Sequence, residues 1–593
     1  MRIAIVLSAS LLLASCARFH QDSGALTVPS PDQEFAEVAN DYIEGYLSWR
    51  PQAGTALGYH QYDGKMTDLS RASIAAELAR LEACEKRLVA LDGRLLSPEA
   101  HFDCQILRAA VEREILSFKG LKVYTQNPMT YAGALDVNIY IKRDFAPLPE
   151  RVKSIISLLN QASNITAAAR ANLAASLPRP FIETAMEVAQ GSADFLSKDL
   201  VEALQEVKDP ALLSAFTAAN RSAVEEMKRY ATYLKEVKLP KANDQYALGR
   251  EKYQMLLQAG ERVTLSPEEL LKVGENELRR KQKDFADAAR AIDPQKPPLE
   301  VYQAIQRDHP TEQSLIPDTI RDLDAIRQFV VDHHIIAIPS SVPARVADTP
   351  RYLRATSFAS MDTPGPFETK ATEAYYYVTP PEPEWPAKQK DEWLSAFNYY
   401  TTDIVSVHEA YPGHYVQFLC LNASPANRLE KIFNSYAFVE GWAHYAEQMM
   451  VDEGFGAGDP ATATPAEKIK AAKYRLAQTD EALLRVCRFC VSIKMHCLGM
   501  TVDEATKFFR ENCYYEEKPA RQEALRGTFD PEYLYYTLGK LEIFKLREDY
   551  QRQEGSDFSL EKFHNELLRH GTPPLPLLRQ VLLKDAGIWK DNL

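Results

Sequence analysis

Residues 406–416 read SVHEAYPGHYV. The run leading into them, DEWLSAFNYYTTDIVSVHEA, carries Trp393, Phe397, Ile404 and Val407 at helical spacing. A helix entering this stretch has to break in it. Pro412 has no amide hydrogen, and its ring clashes with the carbonyl four residues back, that of His408. Gly413 then permits backbone angles that other residues avoid. The break matters because His408 and His414 stand six apart. On an unbroken helix, residues four apart lie about 40° from each other round the axis, and residues six apart about 120°. An intact helix would therefore misdirect His414, whereas a kink can swing it back towards His408. The competing reading is a plain Pro-Gly helix stop that two histidines happen to flank.

Outward from this point the chain reads as helix. It has 593 residues, 46% of them hydrophobic, only 24 glycines and abundant Ala, Leu, Glu, Lys and Arg. That is enough apolar material for a large core. Ser97-Pro98-Glu99, Ser266-Pro267-Glu268-Glu269 and Thr464-Pro465-Ala466-Glu467 each offer a capping hydroxyl, a proline for the first helical position and early acids. Leu69, Ile74, Leu78, Leu81, Leu88 and Leu91 mark a helical stripe. One segment departs from this pattern. Residues 371–379, ATEAYYYVT, are aromatic and β-branched and stop at Pro380-Pro381, which predicts a short strand. An extended ligand can add to the edge of a short strand, which makes Tyr376 a candidate substrate contact. The formal charge of −13, with no run of Lys and Arg, excludes a nucleic-acid surface.

The N-terminus, MRIAIVLSASLLLASC, has one early positive charge and an apolar stretch too short for a lasting membrane span. It predicts a secretory signal over 1–16, ending in a lipobox whose Cys16 is lipidated. A polar tether follows over 17–33, then one large helical domain over 34–593, or two lobes around a cleft. These features place the body at the periplasmic face of a bacterial envelope, held by lipid; Ala17 after the cysteine favours the outer membrane. Seven further cysteines remain in an oxidising compartment. Cys84 and Cys104 flank a helical hairpin and could pair; Cys487, Cys490 and Cys497 fall on one helix.

A second element joins the histidine pair. In VEGWAHYAE, Glu440, His444 and Glu447 fall on one helical stripe amid apolar Val439, Trp442, Ala443 and Ala446. A hydrolytic zinc ion takes three protein ligands and leaves one position for water. The reading is one zinc per chain held by His408, His414 and Glu440, with Glu409 as general base because it adjoins a ligand. Glu447 is placed to orient a ligating imidazole. His444 is a neighbour of the ligands, or a rival third ligand if His414 is not aimed inward. Further on, Tyr536, Lys540 and Arg547 share a helical face in DPEYLYYTLGKLEIFKLREDY. They are candidates to hold an oxyanion and a substrate carboxylate. His496, amid apolar residues, reads equally as catalytic or as a buried structural imidazole.

HEAYPGHY, EGWAHYAE, the Tyr-x-x-Gly-Lys-Leu helix, AYYYVTPP and RHGTPPLPLL together resemble the bacterial family grouped as "domain of unknown function 885", itself similar to gluzincin-type zinc metallopeptidases. The resemblance runs from about residue 35 to the C-terminus. It implies a mainly α fold with a deep cleft, zinc on His408, His414 and Glu440, a catalytic Glu409, and Tyr536 and His496 at positions the family tends to keep. Where the family often has an aspartate four residues before that histidine, this chain has Ser492. The expected activity is hydrolysis of peptide bonds in short peptides. Two other readings are a noncatalytic envelope protein that binds peptides or a partner, and a zinc amidase acting on another amide.

Overall fold

The computed structural model describes residues 29–354, 357–457 and 462–585; the signal segment, Cys16 and most of the tether lie outside them. Helix dominates. Ser266 accepts from the Glu269 amide while the Glu269 carboxylate accepts from the Ser266 amide, and this box opens the helix Pro267–Ile292. Thr464 and Glu467 open the long helix Pro465–Leu498 in the same way, and Ser97 caps Pro98–Leu116. Each cap satisfies amides that a helix end leaves unpaired, a contribution of about 1 kcal/mol. The leucine stripe lies largely on Arg71–Ala90, which buries Leu81 and Leu88.

The apolar interior falls into clusters. One surrounds the helices that carry the 408–447 motifs and includes Ile404, Val407, Trp442, Tyr445, Val491 and Leu546. A second contains Tyr131, Ile155, Ile182 and Met227. A third holds Phe35, Leu47, Leu81 and Leu107 near the start of the described chain.

The expected strand is present at Tyr375–Val378, but as the middle of three. It pairs in parallel with Arg345–Asp348 (β1) and antiparallel with Ala359–Asp362 (β2), so it is β3 in chain order and not an edge. The edge role passes to β2, whose four residues are too short to show a clear alternation in sequence.

Two other expectations change. The helical run from 387 is broken: one helix covers Ala387–Ala396, and a second, Tyr399–Glu409, starts where the Asn398 side chain accepts from the Thr401 amide. Cys84 and Cys104 are both free buried thiols and form no disulfide. Among the described residues, no helix is long and apolar enough to cross a membrane.

Candidate metal centre

The turn at 410–413 decides the centre. Tyr399–Glu409 ends one residue after His408, the Tyr411-Pro412 bond is cis, and a new helix, His414–Ala423, begins at once. The Gly413 amide donates back to the Val407 carbonyl at 3.0 Å, and Trp442 Nε1 donates to the Pro412 carbonyl at 2.9 Å. Gly413 is needed for space rather than for a left-handed backbone. Its φ is −65°, but a Cβ there would lie 1.8 Å from the His408 carbonyl oxygen.

This fold-back brings His408 and His414 together with ring centres 4.8 Å apart. The helix Tyr436–Asp452 adds Glu440. Its Oε2 stands 3.6 Å from His408 Nε2 and 3.6 Å from His414 Nε2, and this buried oxygen has no hydrogen-bond partner. Among the described residues, His408, His414 and Glu440 form a group whose ligand atoms all lie within 4.8 Å of one another. His444 is not in it.

Glu447 stands behind the histidines. One of its oxygens lies 2.6 Å from His408 Nδ1 and the other 3.0 Å from His444 Nδ1. That leaves His408 Nε2 as the nitrogen facing Glu440. Arg485, on the long helix, approaches Glu447 at 3.2 Å. Burial opposes the charged form of His408, but the adjacent Glu440 and Glu447 carboxylates override it and lift the pKa to about 10. Burial likewise opposes an ionised Glu440, yet the two imidazoles hold it well below the ordinary carboxylate range. The surroundings thus favour positive charge between these side chains, which is what a cation would supply. His444 differs: burial and the nearby Lys540 push it down to about 3, so it is neutral.

Glu409 points to the sheet. Its Oε2 accepts from the Met361 amide of β2 at 2.9 Å. That amide lies on the side of the strand away from β3, so the general-base candidate and the sheet edge share one face. Tyr536 stands on the other flank, on the helix Tyr535–Glu554. That helix touches Tyr436–Asp452 backbone to backbone: a Cβ on Gly441 would lie 2.5 Å from Gly539 Cα, and one on Gly539 would lie 1.8 Å from the Ala437 carbonyl oxygen. Arg485 and Arg488 lie 5.9 and 5.5 Å from the centre of the Tyr536 ring. Burial, with the Glu440 charge, raises the phenol's pKa, so it keeps its proton and can donate.

The other sequence candidates are engaged elsewhere. Tyr376 is fully buried in the central strand, where its hydroxyl accepts from Ser406 at 3.1 Å. Lys540 is fully buried and donates to Glu277 at 3.0 Å. Arg547 donates to Glu453 at 3.0 Å and to the Tyr445 hydroxyl at 3.2 Å. His496 Nε2 lies 2.8 Å from the Gly527 carbonyl and its Nδ1 accepts from the Leu248 amide, so both nitrogens are used by backbone, and burial lowers its pKa to about 4. Its reading as a structural imidazole fits; a catalytic one does not. Ser492 bonds to Pro531 and Tyr253 instead.

Sequence reasoning missed the Met361 amide and the pair Arg485 and Arg488. The arginines had left a signal: two cations three apart within the apolar run RVCRFC must be paired when buried. The β2 amide had left none, since any residue there supplies one.

Two solved structures share this architecture. A candidate lipoprotein of unknown function from Shewanella oneidensis superposes with a TM-score of 0.76 at 23% identity, over 93% of this chain and 100% of that one. A candidate lipoprotein from Colwellia psychrerythraea gives 0.73 at 17% identity, over 95% and 100%. At these identities the likeness is one of fold. Among curated protein sequences, none matches the chain. Residues 51–582 match the family described as "Bacterial protein of unknown function (DUF885)", and the chain belongs to that family.

Proposed function

We propose that this protein is a zinc-dependent hydrolase of peptide bonds in short peptides, held by a lipid on Cys16 at the periplasmic face of the outer membrane. The observation that carries the reading is the shared Glu440 oxygen, 3.6 Å from an Nε2 of each histidine and otherwise unpartnered. Two imidazoles and a carboxylate are a recurrent catalytic zinc donor set. Tetrahedral bonds of about 2.0–2.1 Å place ligand atoms roughly 3.3 Å apart, close to the 3.6 Å that separates Glu440 from each imidazole, in a group that spans up to 4.8 Å.

Bound there, zinc would polarise the scissile carbonyl and acidify a water. The residues supply the rest. Glu447 fixes the His408 ring. Glu409 takes a proton from the attacking water and passes it to the leaving amine. The outer edge of β2 offers backbone groups to an extended peptide, next to Glu409. Tyr536, protonated and flanked by two guanidiniums, donates to the developing oxyanion.

Glu409→Gln tests this reading. The variant should keep one zinc per chain by elemental analysis and lose at least about 100-fold in turnover of a mixed peptide library, within the range general-base catalysis contributes. Product masses from the wild type identify the bond cleaved. Full activity in the variant, or a folded wild type that takes up no zinc, would refute it.

A further inference from the structure

Arg143 reaches the sheet beside the metal centre from a distant part of the chain. It follows the short helix Ile139–Lys142, and its neighbours Tyr140 and Phe145 belong to the second apolar cluster. Arg143 is 6% exposed. Its guanidinium pairs with the Asp362 carboxylate at 3.0 Å and donates to the carbonyls of Glu373 at 2.8 Å and Ala371 at 3.3 Å. Asp362 is the last residue of β2, and Glu373 stands two residues before β3 begins. One cation therefore ties the end of the edge strand to the approach of the central one. The planar, multi-donor fork of arginine suits a carboxylate and two carbonyls taken together.

Asp362 adjoins Met361, whose amide donates to Glu409 at 2.9 Å. The route from Arg143 to the general base is thus one ion pair, one peptide unit and one hydrogen bond. β2 needs such a hold. It has four residues, all partly exposed, and it pairs with β3 on one side only. Segments with so few buried contacts open locally at low free energy. The loop from β2 to β3 is fastened to the same early region of the chain. The Phe367 amide donates to the Leu57 carbonyl at 3.0 Å, and His60 Nε2 lies 2.8 Å from a Glu368 carboxylate oxygen.

We infer that Arg143 is a positioning residue for Glu409: it holds the end of β2 so that the Met361 amide keeps the Glu409 carboxylate in place beside the metal centre. The inference rests on the peptidase reading and adds to it a residue from outside the metal-binding helices.

The test uses the full-length, zinc-loaded protein. On a peptide that the wild type cleaves, Arg143→Met should lower kcat about 10- to 100-fold, the effect of a misplaced general base, and leave zinc affinity within about twofold in chelator competition. In a Glu409→Gln background the same substitution should change kcat by less than about threefold, because its effect passes through Glu409. A merely structural role would lower kcat by the same factor in both backgrounds. Hydrogen exchange needs no turnover. In Arg143→Met the Met361 amide should exchange about tenfold faster, the worth of one hydrogen bond, while the helix Tyr399–Glu409 keeps its protection. If Arg143→Met does not fold, Arg143→Met combined with Asp362→Asn takes its place, since it leaves no unpaired carboxylate. If the wild type cleaves no peptide, the peptidase reading fails and exchange alone decides the assignment. Equal kcat losses in the two backgrounds, or unchanged exchange at Met361, would overturn it.

Discussion

Gly413→Ala probes why two imidazoles six residues apart can meet. The added Cβ would lie 1.8 Å from the His408 carbonyl oxygen and 2.4 Å from that of Val407, both backbone atoms that cannot rotate aside. Reaching an ordinary contact of about 3.2 Å requires the turn to open by roughly 1.4 Å. The 3.0 Å bond from the Gly413 amide to Val407 is then lost, about 1 kcal/mol, and the overpacking adds about 1–3 kcal/mol. The total is a destabilisation of about 2–4 kcal/mol, to be read from denaturant unfolding of the metal-free protein. His414 begins the helix immediately after the turn and would be carried with it. Zinc sites tolerate about 0.2 Å in ligand distance, so a shift of this size should lower affinity by at least about 100-fold in chelator competition. A folded Gly413→Ala protein with wild-type stability and wild-type zinc affinity would refute the account of how the ligands converge.

Other outcomes follow from the same geometry. Glu447→Gln should weaken zinc binding about 10- to 100-fold in the same competition assay, because the variant loses the carboxylate that orients His408. Lys540→Met should destabilise the protein by about 3 kcal/mol in chemical denaturation, and adding Glu277→Gln should restore much of it. Lys540, Lys281 and Arg280 outweigh burial and hold the Glu277 pKa at about 2, so losing Lys540 leaves a buried carboxylate short of charge. His496→Gln should change the response to acid. The folded pKa of His496, about 4, is depressed below the ordinary 6.5, so the unfolded chain binds the proton first. Its contribution is complete above pH 6.5, falls as the pH drops towards 4, and amounts to about 2 kcal/mol between pH 7 and 5. Wild type should therefore lose about that much more stability than the variant over this interval, and equal losses would show that His496 is not buried and neutral.

Much of the local structure was legible because its causes lie within a few residues. Ser266 with Glu269, Thr464 with Glu467 and Ser97 begin helices where their side chains reach the next free amides. The break at Pro412-Gly413 follows from a missing amide hydrogen and a missing Cβ. The stripe Glu440, His444 and Glu447 follows from the helical repeat. The sequence separated Glu440 from Glu447 by role but left His444 open, and that question needed distances across the fold. Glu440 faces both imidazoles, Glu447 stands behind one of them, and His444 turns to Glu447. Lys540 and Tyr536 both offer a donor on one helical face in sequence, yet Lys540 meets Glu277 from a helix more than 250 residues earlier, while Tyr536 lies beside Glu440.

The sequence by itself determined the helical class, the break between His408 and His414, and the residue types able to bind a metal. Tertiary structure alone decided that His414 rather than His444 stands with His408 and Glu440, which strand forms the sheet edge beside Glu409, and which cations are already paired. The physical reason is range: caps, kinks and helical faces are set by neighbours along the chain, whereas charge pairing and strand order depend on segments brought together only by the folded core.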